Sequence, residues 1–177
     1  MPDQYIASLY TLELTNDQKI AILEKTKELL GPNGENWTKS CWFGTKKTDE
    51  EMNQWLLEWG FEPLAELDQD ELLDIAQHND WRLFREELPV HRADQANVWC
   101  LMGAIEEAAY RLKITPERDT SERLAGPISL ERLVNSKSEW RTWSVIDVND
   151  NPDTTFETVR DLLDERLTEL VAEGAHS

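Results

Sequence analysis

Four oxygen-bearing side chains at alternate positions, near the carboxyl end, have the spacing of a metal site. They are Asp147, Asn149, Asn151 and Asp153. A calcium-binding loop begins in this way, but it needs glycine at its sixth position and a bidentate glutamate at its twelfth. This sequence has Pro152 and Thr158 there. Asp153 or Thr154 could instead cap a helix, and Thr154 with Glu157 forms a capping box. We therefore predict a helix start here, and no metal.

The cysteines and histidines could also do chemistry. Cys100 lies near a predicted helix start, where a thiol pKa falls, but a nucleophilic cysteine also needs a base. The candidate bases are His78, His91 and His176, and none has a recognisable nucleophile signature around it. Because Cys100 lies on an apolar stripe, we predict that it is a core residue, and that Cys41 is packed likewise. No zinc spacing is present, so we predict neither catalytic residues nor a cofactor.

The formal charge of the 177-residue chain is −18, and its distribution is local. The window from Asp49 to Trp81 contains eleven acids and no Lys or Arg, and the window from Asp147 to Glu173 has nine acids against Arg160 and Arg166. The rest of the chain is balanced. Such a charge disfavours direct nucleic-acid binding. No apolar run is long enough for a membrane helix, the N-terminus lacks signal-peptide features, and two cysteines fit a reducing cytoplasm.

Helical periodicity dominates the sequence. Capping boxes at Thr15, Thr48 and Asp68 predict three helix starts, and residues 95–112 form the clearest amphipathic helix. A short helix near 129–136, capped by Ser129, and a last helix over about 155–172 follow. Residues 81–88 could add a helical turn, and 5–14 and 140–148 two short strands. We predict a mainly α protein, a single compact helical domain with about six helices, spanning residues 1–177.

Two motifs resemble an uncharacterised family of small proteins of actinobacteria and their phages. The first is VWCLMGAIEEAA at 98–109, and the second is VNDNPDTTFETVRDLLDERL at 148–167. The resemblance covers about half the chain, including a first helix and a tryptophan turn from Leu23 to Trp37. It implies one small helical domain and no established activity. The span between the tryptophan turn at Trp37 and the Trp-Cys pair at Trp99 and Cys100 is longer than in the family pattern, which indicates an acidic helical insertion at about 45–95.

The insertion carries the candidate binding residues. Trp55 and Trp59 share a helical face, which suits either the core or an aromatic anchor for a partner. The acids around them suit either a solvated surface or an electrostatic docking face. Like charges on one helix repel and lower its stability, and a function that uses the negative field would explain why this cost is tolerated. The partner-binding residues that we predict are Trp55, Glu58, Trp59, Glu62, Glu66, Asp68, Asp70, Glu71 and Asp74.

Three functions follow from these observations. The first is a non-enzymatic module that docks on a basic host or phage protein, such as a nucleic-acid-binding one, and mimics nucleic-acid charge as a phage-type inhibitor would. The second is an enzyme of unknown reaction with a site near Cys100 and the turn at 147–153. The third is an assembly component that oligomerises through the face of Trp55 and Trp59.

Overall fold

The computed structural model describes residues 13–39, 41–79, 84–118, 124 and 128–176. Within them the protein is mainly α-helical, as predicted, and six α-helices have seven residues or more. The α-helices are α1 (Asn16–Leu30), α2 (Asp49–Glu58), α3 (Gln69–His78), α4 (Leu101–Arg111), α5 (Leu130–Ser136), α6 (Val145–Asp150) and α7 (Phe156–Ala175). Strands β1 (Gly44–Lys46) and β2 (Arg85–Glu87) form an antiparallel ribbon, and 3-10 turns cover Leu64–Glu66, Val90–Gln95 and Ser138–Trp140.

The centre of the domain is α4, which packs on α1, while α1 packs in turn on α7. The helix predicted over 95–112 begins only at Leu101, with Cys100 as its N-cap, and ends at Arg111. Leu101, Ala104, Ile105 and Ala108 are fully buried, so these apolar side chains face the core as predicted. Gly103 allows a close approach, since a Cβ added there would lie 1.8 Å from the backbone oxygen of Trp42. The helix therefore touches the preceding loop directly through its backbone.

Capping boxes start most of the helices. The three predicted boxes are present, with Thr15, Thr48 and Asp68 as N-caps. Each cap side chain accepts a bond from the backbone N–H three residues on, which satisfies a group that the helix leaves free. At α2 the return bonds from the backbone and side chain of Thr48 hold the pKa of Glu51 below its usual value.

The predicted strand at 140–148 is wrong. Residues Ser138–Trp140 form a 3-10 turn, and α6 begins at Val145. Ser144 accepts a bond from the backbone N–H of Asp147, and the Asp147 carboxylate accepts from the backbone of Ser144. This fourth capping box, hidden in a β-branched stretch, sets the local structure and outweighs strand propensity.

Three further predictions need correction. The helical turn at 81–88 is wrong where the structure describes it, because Arg85–Glu87 is β2, paired with β1 (Gly44 opposite Glu87). The helix start after residue 153 is confirmed, but its N-cap is Thr155 rather than Asp153 or Thr154. Ser129, the predicted cap of α5, has a φ of 61° and lies in the left-handed region instead of the extended one. The predicted strand at 5–14 falls almost wholly outside the described residues.

The described part of residues 45–95 contains α2, α3 and β2. It is anchored through apolar side chains, among which Met52, Leu56, Ala76 and Phe84 are buried. The acids of this segment that the structure describes are exposed. No helix in the described part of the chain is long and apolar enough to cross a membrane.

Candidate functional site

The acids of α2, α3 and the turn between them are all exposed. They are Asp49, Glu50, Glu51, Glu58, Glu62, Glu66, Asp68, Asp70, Glu71 and Asp74. Among the described residues, none of these ten carboxylates has a Lys or Arg within salt-bridge distance, although the imidazole of His78 lies 3.2 Å from Asp74 and the charge of Lys47 acts on Glu51. The negative charge of this segment is therefore not neutralised by those parts of the fold that the structure describes. We call these ten residues the acidic face.

The second acidic window differs because many of its carboxylates have cationic partners. Lys27 of α1 pairs with Asp164, and Lys137 lies 2.7 Å from Glu165. The buried guanidinium of Arg166 contacts Glu169 at 2.8 Å and Glu173 at 3.0 Å, and its bond lowers the pKa of Glu173. The pairs of Asp164 and Glu165 link α7 to other segments, and those of Glu169 and Glu173 lie within α7. The acids of the acidic face have no such Lys or Arg partners in the described structure.

The two tryptophans of α2 have different environments. Trp55 is half-buried in an aromatic cluster, with its ring centroid 5.0 Å from that of Phe84 and 5.8 Å from those of Trp59 and Phe61. Trp59, at the end of the helix, is 65% exposed, and neighbouring Leu57 is 61% exposed. One predicted partner-binding residue is thus mainly structural, while the other offers apolar surface to solvent. Sequence analysis did not single out Leu57.

The predicted partner-binding acids of α2 and α3 have different local environments. Asp68 and Glu71 bond to each other's backbone in the capping box, and Glu58 accepts a bond from Gln54. Asp70 and Asp74 are brought to a cavity of about 460 Å³ between α3 and the start of α7. Eight of the nine predicted residues are therefore exposed, all but Trp55, and seven of the nine are acids, but they do not all converge on one point.

The motif residues meet around Asn149, which is 1% exposed. Its side-chain oxygen accepts bonds from the indole N–H of Trp37 (2.8 Å) and from the backbone N–H of Leu101 (3.0 Å). Trp99 completes this junction, because its backbone N–H donates to the Asn36 carbonyl and its own carbonyl accepts from Thr38. The tryptophan turn, the start of α4 and the end of α6 are held together by one amide. The motifs thus have a structural role.

Lys39 lies beside this junction and is 3% exposed. Its ammonium donates to the backbone carbonyls of Asn151 (2.6 Å) and Pro152 (3.2 Å), in the turn that joins α6 to α7. Burial lowers the pKa of this ammonium to about 8, although Asp150 and Asp153 favour its charge. Lys39 therefore fixes the turn that resembled a calcium loop. Sequence analysis missed it, since no local pattern marks a buried lysine.

Both cysteines are packed, as predicted. Cys100 is 6% exposed and caps α4, with its sulfur accepting from the backbone N–H of Gly103. Burial raises the pKa of the Cys100 thiol to about 12. It also raises that of Cys41 to about 11, with a smaller contribution from Glu87. A thiol that stays protonated is a poor nucleophile, so the condition for an enzyme based on Cys100 is not met in this conformation.

The potential metal ligands of the described residues are not clustered. No group of three or more His, Cys, Asp or Glu side chains there is placed to hold an ion. At the calcium-like stretch, Asp147 belongs to a capping box and Asn149 to the buried junction. The side-chain oxygen of Asn151 accepts a bond from the backbone N–H of Asp153, so three of the four alternating side chains are engaged in other bonds.

A second buried charge cluster also escaped sequence analysis. Glu107 on α4 is fully enclosed, and its carboxylate accepts from Arg111 (2.6 Å) and Arg118 (2.5 Å). Arg118 also reaches Asp94 at 2.7 Å and lies over the ring of Tyr110. This cluster ties α4 to the two flanking loops and suits a structural role, because its charges compensate one another.

These features define a small, mainly helical domain. The carboxylates of its acidic face have no Lys or Arg within salt-bridge distance among the residues that the structure describes. The chain belongs to DUF6197, a family of unknown function, whose model matches residues 15–166. The matched range includes both motifs and the acidic segment. No curated protein and no solved structure matches the chain.

Proposed function

We propose that this protein is an interaction module that docks its acidic face on a basic surface of a partner protein. The observation that carries the proposal is the exposed apolar pair Leu57 and Trp59, which lies on a helix whose carboxylates have no Lys or Arg partner in the described structure. An aromatic anchor surrounded by charge is typical of a binding hot spot. The surrounding field would attract a basic surface and speed its association.

The chemistry of the face suggests the class of partner. Exposed carboxylates on two consecutive helices present an array of negative oxygens, as a nucleic-acid backbone does. A protein whose basic surface binds phosphates could accept this array in place of nucleic acid. We therefore propose a nucleic-acid-binding protein as the partner, and inhibition by charge mimicry as the mode of action, as in a phage-type inhibitor.

Charge reversal tests the proposal. Partners retained from a lysate at low salt and released at high salt would be purified, and their affinity for the wild-type chain measured. Reversal of Glu58, Glu62 and Glu66 to lysine should weaken binding at least about tenfold at low salt, with a smaller effect at high salt. The matched control reverses Glu24, Glu131 and Glu139, which are exposed outside both acidic windows. Equal affinity of the two triple variants would contradict the proposal.

The aromatic anchor has a separate test. Trp59→Ala should cost about 2 kcal/mol or more of binding free energy, while the free energy of unfolding changes by only about 0.5 kcal/mol because the ring is exposed. Trp55→Ala should instead destabilise the fold, since Trp55 supports an aromatic cluster. Light scattering at several concentrations checks the oligomer alternative, which requires mass to rise with concentration and to fall in Trp59→Ala.

A further inference from the structure

The cavity between α3 and α7 unites the two acidic windows. Asp70 and Asp74 line it from α3, while Glu157 and Arg160 line it from the first turns of α7. Asp70 and Asp74 are four residues apart, so they lie one above the other on the same helical face. The cavity has a volume of about 460 Å³, which is within the range of pockets that hold small ligands or single side chains.

The charge of the cavity is negative. Three carboxylates line it against one guanidinium, and that of Arg160 lies 3.7 Å from Glu157 and 4.0 Å from Asp161. Its positive charge is thus already offset on its own helix. The carboxylates of Asp70 and Asp74 contact no Lys or Arg in the described structure, and that of Asp74 lies 3.2 Å from the imidazole of His78. A cation entering the cavity would meet two carboxylates on one wall.

Two aromatic side chains line the cavity. Phe156 and Trp37 both line it, with ring centroids 5.9 Å apart and planes inclined by 45°. A planar guanidinium stacks on such a ring and can bond two carboxylates at once, whereas an ammonium is a compact and strongly hydrated charge. Aromatic and carboxylate groups therefore occur together here in the combination that favours arginine over lysine.

We propose that this cavity accepts an arginine side chain of the basic partner, an inference that rests on the function proposed above. The guanidinium lies against Phe156 and bonds to Asp70 and Asp74, while Arg160 stays with Glu157. The cavity then supplies specificity, and the wider acidic face supplies long-range attraction. The partner class becomes a basic protein with an arginine on a protruding loop or helix.

Peptide binding tests the cavity. An end-capped arginine-rich peptide, its lysine analogue and its citrulline analogue would be titrated by calorimetry against the full chain at low salt. The arginine peptide should bind at least fivefold more tightly than the lysine peptide, and the citrulline peptide should not bind. Asp70→Asn combined with Asp74→Asn should weaken arginine-peptide binding at least tenfold. The matched control, Glu131→Gln with Glu139→Gln, removes the same charge from exposed positions outside both acidic windows and should cost twofold or less.

A second pair of variants gives a gain of binding. Arg160→Gln removes the one cation that lines the cavity and should tighten arginine-peptide binding about threefold. Arg141→Gln removes the same charge from an exposed position elsewhere and should have little effect. Circular dichroism confirms that each variant is folded. Since all the substituted acids are exposed, their loss should not disturb the core.

The outcomes separate the two proposals. Equal losses in the two double variants, or equal affinity for arginine and lysine peptides, would overturn the arginine cavity while leaving the acidic docking face in place. Failure of the wild-type chain to bind any basic peptide at low salt would overturn both. Selective loss in the Asp70 and Asp74 variant, together with a gain in Arg160→Gln, would support the cavity.

Discussion

The side-chain oxygen of Asn149 accepts a 2.8 Å hydrogen bond from the indole nitrogen of Trp37, which is 112 residues away in the sequence. The same oxygen accepts from the backbone of Leu101 at the start of α4. Three distant segments of the chain are thereby joined at one buried amide. Trp37, Asn149 and the start of α4 therefore share a structural role.

Removal of this amide should destabilise the fold. Asn149→Ala leaves the indole N–H of Trp37 and the backbone N–H of Leu101 buried without their acceptor, and each such loss costs about 1–3 kcal/mol. We expect the free energy of unfolding, measured by urea denaturation, to fall by about 2–4 kcal/mol. Asn135→Ala, at an exposed position of α5, is the control and should change it by about 0.5 kcal/mol or less. Similar values for the two variants would remove the structural role of Asn149.

Local signals were enough to predict much of the helical framework. The capping boxes at Thr15, Thr48 and Asp68 and the apolar stripe of α4 depend on residues three or four apart. They are therefore visible in the sequence, and the structure confirms them. The error at 140–148 has the same origin, because a Ser144 capping box competes there with β-branched residues and prevails.

Long-range contacts could not be predicted in this way. The β1–β2 ribbon joins residues about forty positions apart, and the cavity joins α3 to the start of α7. Exposure of the acids follows from their chemistry, so that part of the candidate site was predictable. The different exposure of Trp55 and Trp59 could not be predicted, because both lie on one helical face. Trp55 is half-buried because Phe61 and Phe84, which lie outside its helix, pack against its ring.

The contact between Gly103 and the Trp42 backbone gives a matched pair of glycine variants. A Cβ on Gly103 would lie 1.8 Å from a backbone oxygen, whereas a Cβ on Gly174 would meet nothing closer than 3.8 Å. Gly103→Ala should lower the free energy of unfolding by about 1–3 kcal/mol or more. Gly174→Ala should raise it by up to about 1 kcal/mol, because alanine favours helix. Thermal unfolding of both checks this, and an unchanged melting temperature in Gly103→Ala would contradict the close approach.

The buried thiols should resist alkylation. Burial raises the pKa of Cys100 to about 12 and that of Cys41 to about 11, so the reactive thiolate is scarce near neutral pH. At about pH 8, iodoacetamide should modify the native protein at least about 1,000-fold more slowly than the urea-unfolded protein. Mass spectrometry after timed quenching gives both rates. Rapid modification of native Cys100 would revive the enzyme hypothesis for this region.

The buried ammonium of Lys39 predicts an unusual pH dependence. Burial lowers its pKa to about 8 in the folded protein, against the ordinary value of 10.5 for an exposed lysine. Between these two values the unfolded chain binds more protons than the folded one, so the contribution of Lys39 to stability rises with pH through that window. Below the window the folded state carries the full cost of burying a charged ammonium.

The difference between wild type and Lys39→Met isolates this contribution, because the other groups titrate in both proteins. From about pH 7 to about pH 10.5, the wild type should gain stability relative to the variant by an amount on the order of a few kcal/mol. Lys113→Met, at an exposed position, should show a constant difference over the same range. Urea denaturation at several pH values measures both. The contrary result is a stability difference between wild type and Lys39→Met that stays constant or falls as the pH rises. It would mean that the ammonium stays charged without cost, because the carbonyls of Asn151 and Pro152 compensate fully for its burial.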